Sequence, residues 1–229
     1  RDGCIGPRGR EVSGFGPMSQ RRIVSLAALS VLELSPPEMV RIAARCGYTH
    51  VGLRPIAATD SERHFPLLAD AGLRRETLAA LADEGVGVLD IEILRLRPDT
   101  DVRAYEAALE FGAEAGARFA LVAGNDPDRA RIAGNLGALA DLAATYGIRP
   151  HLEFMPWTDV PDLAVALDVI AAAGRGNTGL LVDAYHLVRS ESSVADIPER
   201  SELTGYVQLC DIAGPVPADV ADLIAEARS

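Results

Sequence analysis

The chain contains no lysine; all 22 of its basic residues are arginine. Within this sequence that excludes a lysine Schiff base, a pyridoxal phosphate anchor and the lysine of a phosphate-binding P-loop. Cysteine is sparse: Cys4, Cys46 and Cys210 are the only three, with no C-x-x-C pair. That count argues against a disulfide framework or a cysteine-rich zinc site. No apolar stretch reaches the roughly 18 residues of a membrane span, and the opening segment lacks the apolar core of a signal peptide. These absences lead us to expect a soluble, cytoplasmic protein with no membrane partner. Positive charge is scarce too, the net being -11. Five arginines lie in residues 1–22 against Asp2 and Glu11, so the rest of the chain is near -14. Such a body repels phosphate backbones and speaks against nucleic acid as a partner.

What is present is a large apolar fraction, 48% of 229 residues, enough for one sizeable core. Residues 1–22, rich in Gly, Pro, Ser and Arg, are expected to be a tail outside the fold, or sequence upstream of a start at Met18. Residues 23–229 are expected to form a single domain. Apolar, β-rich runs occur at 23–29, 49–54, 86–93, 118–123, 149–154, 178–184 and 204–210. Helical spacing lies between them. Ser35-Pro36-Pro37-Glu38 opens the first helix with a cap, prolines in the first turn and an early acid. Further helices are expected over 73–84, 102–115, 126–146, 159–173 and 217–228, with a short segment at 192–200.

Seven strands alternating with helices imply a parallel sheet with right-handed crossovers. The runs are apolar throughout, as in strands buried on both faces. An open doubly wound sheet and a (β/α)8 TIM barrel lacking its eighth strand both fit. The first strand-to-helix turn, Leu29-Ser30-Val31-Leu32-Glu33-Leu34-Ser35, carries no G-x-G-x-x-G, so the barrel is favoured over a dinucleotide fold.

Polar residues stand where these strands should end: Glu153, then Asp183 and His186 in Asp-x-x-His, then Gln208 and Asp211. Strand ends on one rim of a parallel barrel are where ligands converge on one metal ion or one sugar. Arg54, at the end of the second run, is placed to clamp an anionic substrate group; the structural alternative is an ion pair with Glu92. Asp90 and Glu92 share one side of their strand. Trp157, the only tryptophan, is a candidate wall for a sugar pocket, and His64 a candidate lid residue. His50 and His151 receive no role. Asn125-Asp126-Pro127-Asp128 reads as a helix cap.

Strand-Glu, then Asp-x-x-His, then a strand with a polar residue three before Asp: this order resembles the xylose isomerase-like TIM barrels. That superfamily includes sugar phosphate isomerases and epimerases, inosose and 3-dehydroshikimate dehydratases, and the endonuclease IV group. The resemblance covers about 23–229 and is strongest over 149–214. It implies that Glu153 and Asp183 ligate a divalent metal, that His186 lies beside the substrate, and that Gln208 occupies the strand-seven position where the family has His. The strand-eight Glu has no counterpart before Ser229, which leaves Glu92 as a candidate second acid or base. A glutamine oxygen with two carboxylates suits Mn²⁺ or Mg²⁺ better than Zn²⁺. The implied activity is isomerisation or epimerisation of a sugar-like carbonyl compound by α-proton abstraction, with a metal-stabilised enediolate. A dehydratase on the same scaffold and a non-catalytic sugar-binding member remain as alternatives. The endonuclease reading is disfavoured by the absent early histidines and the acidic body. A homodimer is one way to cover the sheet edge left by a missing strand.

Overall fold

The computed structural model of the protein describes residues 22–59, 61–198 and 203–210. Seven parallel strands run in the order β1 (Ser25–Leu26), β2 (His50–Leu53), β3 (Gly87–Leu96), β4 (Phe119–Gly124), β5 (Arg149–Glu153), β6 (Gly179–Asp183) and β7 (Thr204–Gln208), each paired with the next. Between them lie α1 (Pro36–Arg45), α2 (Ala71–Glu84), α3 (Glu106–Glu114), α4 (Arg129–Ala144), α5 (Leu163–Ala173) and α6 (Ala184–Arg189). The sheet is curled, because strands three and four places apart touch across its interior. The Tyr206 hydroxyl on β7 donates to Asp90 on β3 at 2.8 Å, and the Tyr206 ring stacks on Phe119 of β4 at 5.0 Å. This is the TIM-barrel architecture, with seven strands seen. No eighth strand occurs among the described residues, and the 217–228 helix, Asp211 and the N-terminal tail lie outside them.

Local chemistry sets the element ends. Ser35 and Glu38 form a capping box at α1, with Pro36 and Pro37 in its first turn. Asp70, Asp128 and Asp162 each accept backbone N–H groups at the starts of α2, α4 and α5. Gly85 and Gly174 close α2 and α5 in the left-handed conformation, at φ 64° and 63°. Of the expected cap at 125–128 the capping residue is Asp128, while Asp126 is buried and paired with Arg131 at 2.6 Å.

Several boundaries differ from the sequence expectation. The run 23–29 yields only two strand residues, because the chain turns at Ala28 into a 3₁₀ segment, Ala28–Val31, where the Ala28 N–H is taken by the Glu92 carboxylate at 2.9 Å. The third strand extends to Leu96 instead of stopping at 93. The third helix opens with a 3₁₀ turn, Val102–Tyr105. Asp183 caps a short helix, α6, directly after β6, and among the described residues of 192–200 a 3₁₀ turn, Val194–Asp196, forms.

The core has two layers. The larger packs helices against the outer face of the sheet, with Val40, Val51, Leu53, Ile91, Ala120, Val122, Leu136, Leu152 and Leu180 fully or almost fully buried. Each large aliphatic side chain there contributes about 1.5–3 kcal/mol. The smaller layer, Ile93, Leu121, Ala123, Met155 and Leu181, fills the barrel interior.

Candidate metal centre and substrate pocket

Strand alternation decides which side chains enter the barrel. On β5 the inward positions are His151 and Glu153. On β7 they are Tyr206 and, two residues on, Gln208, whose Cα pairs with that of Asp183. On β3 Asp90 and Glu92 share the inner side, as expected: a Cβ added at Gly52 would lie 2.7 Å from Asp90 and 3.7 Å from Glu92.

The interior is stratified. At its lower end the His151 ring lies tilted against Phe119, 4.5 Å away, and stacks on Tyr206, 5.6 Å away. Gly179 and Gly205 provide the room, since a Cβ at either would collide with the His151 ring. The imidazole is fully buried, and neither ring nitrogen has a hydrogen-bond partner among the described residues. Burial, with a smaller push from Arg149, lowers its pKa to about 3, so it is neutral. Asp90 lies buried on the Tyr206 hydroxyl; burial and then the Glu92 charge raise its carboxyl to about 7, against the Tyr206 hydrogen bond and Arg54.

Toward the carboxyl ends the character changes. Glu153, Asp183 and His186 bring one donor atom each to within 4.8 Å of one another. His186 Nε2 lies 3.6 Å from Glu153 Oε1, and His186 Nδ1 is buried without a partner among the described residues. Asp183 Oδ1 accepts from the N–H groups of Tyr185 (2.7 Å) and His186 (3.2 Å), so the carboxylate that opens α6 also faces the cluster. Burial first, then the charges of Asp183, Glu92 and Asp90, raise Glu153 well above the ordinary carboxylate range, opposed by Arg95. Burial lowers His186, against the pull of Asp183. The Trp157 ring meets His186 edge-on at 4.7 Å and lies 6.2 Å from Tyr185, which forms an aromatic wall.

Arg54 forms the other side of the group. It pairs with Glu62 and, at 3.4 Å, with Glu92, while Glu62 also accepts from the Ala58 N–H at 2.7 Å. The ion pair with Glu92 is therefore present, and Arg54 is held in place by two carboxylates. His64 lies in the following loop, with Nε2 3.2 Å from the Pro55 carbonyl. Sequence reasoning passed over three contributors. Arg95, largely buried at the end of β3, donates to the Ala58 carbonyl and to Asn125; a charged residue inside an apolar strand was its signal. Tyr206 shares the inward period of Gln208. Cys210 continues that period, and its thiol donates to both Asp183 oxygens at 3.2 and 3.1 Å. Burial and Asp183 raise that thiol to about 11.

Four carboxylates, Asp90, Glu92, Glu153 and Asp183, thus lie buried in one barrel. Burying like charges together is costly unless a cation joins them. Two carboxylates and an imidazole within ligand distance are a donor set that fits a divalent ion.

A parallel α/β barrel with carboxylates and an imidazole converging at its carboxyl ends defines the class. The chain belongs to the xylose isomerase-like TIM barrel family, whose profile matches residues 40–223. An inosose isomerase of Halalkalibacterium halodurans is 31% identical over 71 residues, which cover 30% of this chain and 25% of that protein. The match therefore spans about a quarter of that relative's length. Among solved structures, the IolI protein with a bound zinc atom aligns at TM-score 0.63 and 16% identity, covering 81% of this chain and 71% of that one. An L-ribulose 3-epimerase aligns at TM-score 0.60 and 18% identity, covering 87% and 75%. A probable 3-DHS dehydratase, AsbF of Bacillus anthracis, aligns at 0.61 and 16%, covering 75% and 66%. At these identities the structural likeness speaks for the fold.

Proposed function

We propose that this chain carries a divalent-cation-dependent isomerase or epimerase site for a small sugar-like carbonyl compound. The observation that carries the reading is the convergence of Glu153, Asp183 and His186 donor atoms within 4.8 Å at the barrel's carboxyl end. Family membership supports it, as does the partial likeness to an inosose isomerase. Asp183 and Glu153 would hold the ion with His186, and Gln208, beside Asp183 in the sheet, is placed to add a carbonyl oxygen. Oxygen donors favour Mn²⁺ or Mg²⁺, and the imidazole extends the set toward Zn²⁺. When bound, the ion supplies electrophilic pull on a substrate carbonyl.

The remaining steps belong to the chain. Glu153, in a dry environment, is assigned to remove the proton next to that carbonyl; for isomerisation it delivers the proton to the adjoining carbon, whereas epimerisation takes a proton from solvent on the opposite face. Trp157 and Tyr185 wall the pocket and exclude water. Arg54, pre-ordered by Glu62 and Glu92, presents a guanidinium to an anionic or hydroxyl-rich substrate group. Glu92 has one oxygen on the Ala28 N–H and the other facing Arg54. We therefore assign it to holding Arg54 instead of moving a proton. His64 is assigned to the loop that shields this side.

The test pairs metal analysis with solvent exchange. Wild type should hold about one divalent ion per chain and exchange the α-proton of keto-sugars with D₂O. Asp183→Asn, which keeps the cap on α6, should lose the ion at least ~100-fold more readily. Loss of water in the product would assign a lyase instead. Ion binding without exchange on any keto-sugar or cyclitol ketone would point to a binding member of the family. No ion in the wild type would overturn the reading.

A further inference from the structure

Cys210 is a cysteine whose surroundings set it apart. It follows β7 on the inward period of Tyr206 and Gln208, and its sulfur lies 3.1 Å from Asp183 Oδ2 and 3.2 Å from Oδ1. It is not alone: the carboxylate it touches belongs to the cluster with Glu153 and the buried His186, whose Nδ1 has no partner among the described residues. Asp183 Oδ1 already receives two backbone N–H groups, while among the described residues Oδ2 receives the thiol. A soft donor therefore stands on a carboxylate of the site.

The spacing suits shared coordination. Two ligand atoms of one tetrahedral ion, with bonds of about 2.3 Å to sulfur and about 2.1 Å to oxygen, sit roughly 3.6 Å apart. The sulfur–Oδ2 separation is 3.1 Å, and the Glu153–His186 separation is 3.6 Å. Small rotations of the side chains would bring all four donors to one centre. Oxygen and imidazole donors alone discriminate weakly among divalent ions, whereas a thiolate selects thiophilic ones.

We propose that Cys210 supplies a sulfur ligand to the cation held by Glu153, Asp183 and His186, giving this site a preference for a thiophilic divalent ion such as Zn²⁺ over Mg²⁺ or Mn²⁺. The inference rests on the cation-site reading above. Ligation replaces the thiol proton by the ion, and that proton leaves to solvent.

The experiment uses the full chain with Cys4→Ser and Cys46→Ser, so that Cys210 is its only thiol, titrated with Co²⁺, Cd²⁺ and Mn²⁺. Co²⁺ should give a near-ultraviolet sulfur-to-metal charge-transfer band. In Cys210→Ser that band should vanish, and the ratio of Cd²⁺ to Mn²⁺ affinity should fall by about tenfold or more. Circular dichroism of the variant checks that it is folded. Co²⁺ binding without the band, together with an unchanged Cd²⁺ to Mn²⁺ ratio in Cys210→Ser, would overturn sulfur ligation and leave the cation site standing. If neither Co²⁺ nor Mn²⁺ binds the parent, the cation site fails and sulfur ligation fails with it.

Discussion

The two ends of the barrel interior solve opposite problems with the same strands. At the lower end Phe119, His151 and Tyr206 fill space, and the glycines at 179 and 205 are the voids that receive the His151 ring. The buried polar groups there are the neutral His151 imidazole and the Asp90 carboxyl held by Tyr206. At the upper end Glu153, Asp183 and His186 fit together poorly as they stand: like charges are buried, with Arg95 opposing them at Glu153 and Arg54 paired with Glu92. The lower end is settled by volume, and the upper end is left unsettled in charge. Carboxyl-end residues of such barrels carry chemistry, whereas the opposite end carries stability.

The contrast can be broken from below with the largest effect. Gly179→Val drives a side chain into the His151 ring and should destabilise the protein by about 3 kcal/mol, measured by urea unfolding. Adding His151→Ala should recover most of that loss, and no recovery would refute the steric account. The second effect is a pH dependence in the middle of the barrel. Burial and the Glu92 charge raise the Asp90 carboxyl from its ordinary 3.8 to about 7, so the folded state holds its proton longer than the unfolded chain does. Stability conferred by that proton is full below pH 3.8 and is lost as pH rises through about 7. Asp90→Asn should flatten this slope in unfolding measurements on the cation-free protein; an unaltered slope would place the titration elsewhere. The smallest effect sharpens the boundary between the two ends. Tyr206→Phe deletes the hydroxyl on Asp90 and should cost about 1 kcal/mol in the same assay. Because that hydrogen bond holds the Asp90 carboxyl down, its removal should also move the Asp90 titration higher.

The sequence made the alternation of strands and helices plain, because buried parallel strands are apolar on both faces and punctuated by caps such as Ser35 and glycines such as Gly85 and Gly174. Strand ends were less plain. The first run looked seven residues long, yet the pull of Glu92 on the Ala28 N–H turns the chain away after two, a contact 64 positions distant that no local pattern contains. The same holds within the site. Glu153, Asp183 and His186 stand at strand ends and could be picked out one by one, and the Arg54–Glu92 pair was foreseen as the alternative to a substrate clamp. Cys210 and Tyr206 escaped notice because their partners, Asp183 and Asp90, lie 27 and 116 positions away.

Asp183 joins two events that are usually separate. One of its oxygens seats the first amides of α6, the helix that carries His186, while the carboxylate also faces Glu153. Whatever binds that carboxylate therefore also fixes the turn that delivers the neighbouring imidazole. Donors tied in this way behave as a chelate: the entropy of ordering His186 is met largely by the helix start and not by the incoming ligand. Affinity at this rim is then in part a property of the backbone, and it should reach the solvent as slowed exchange of the Tyr185 and His186 amides.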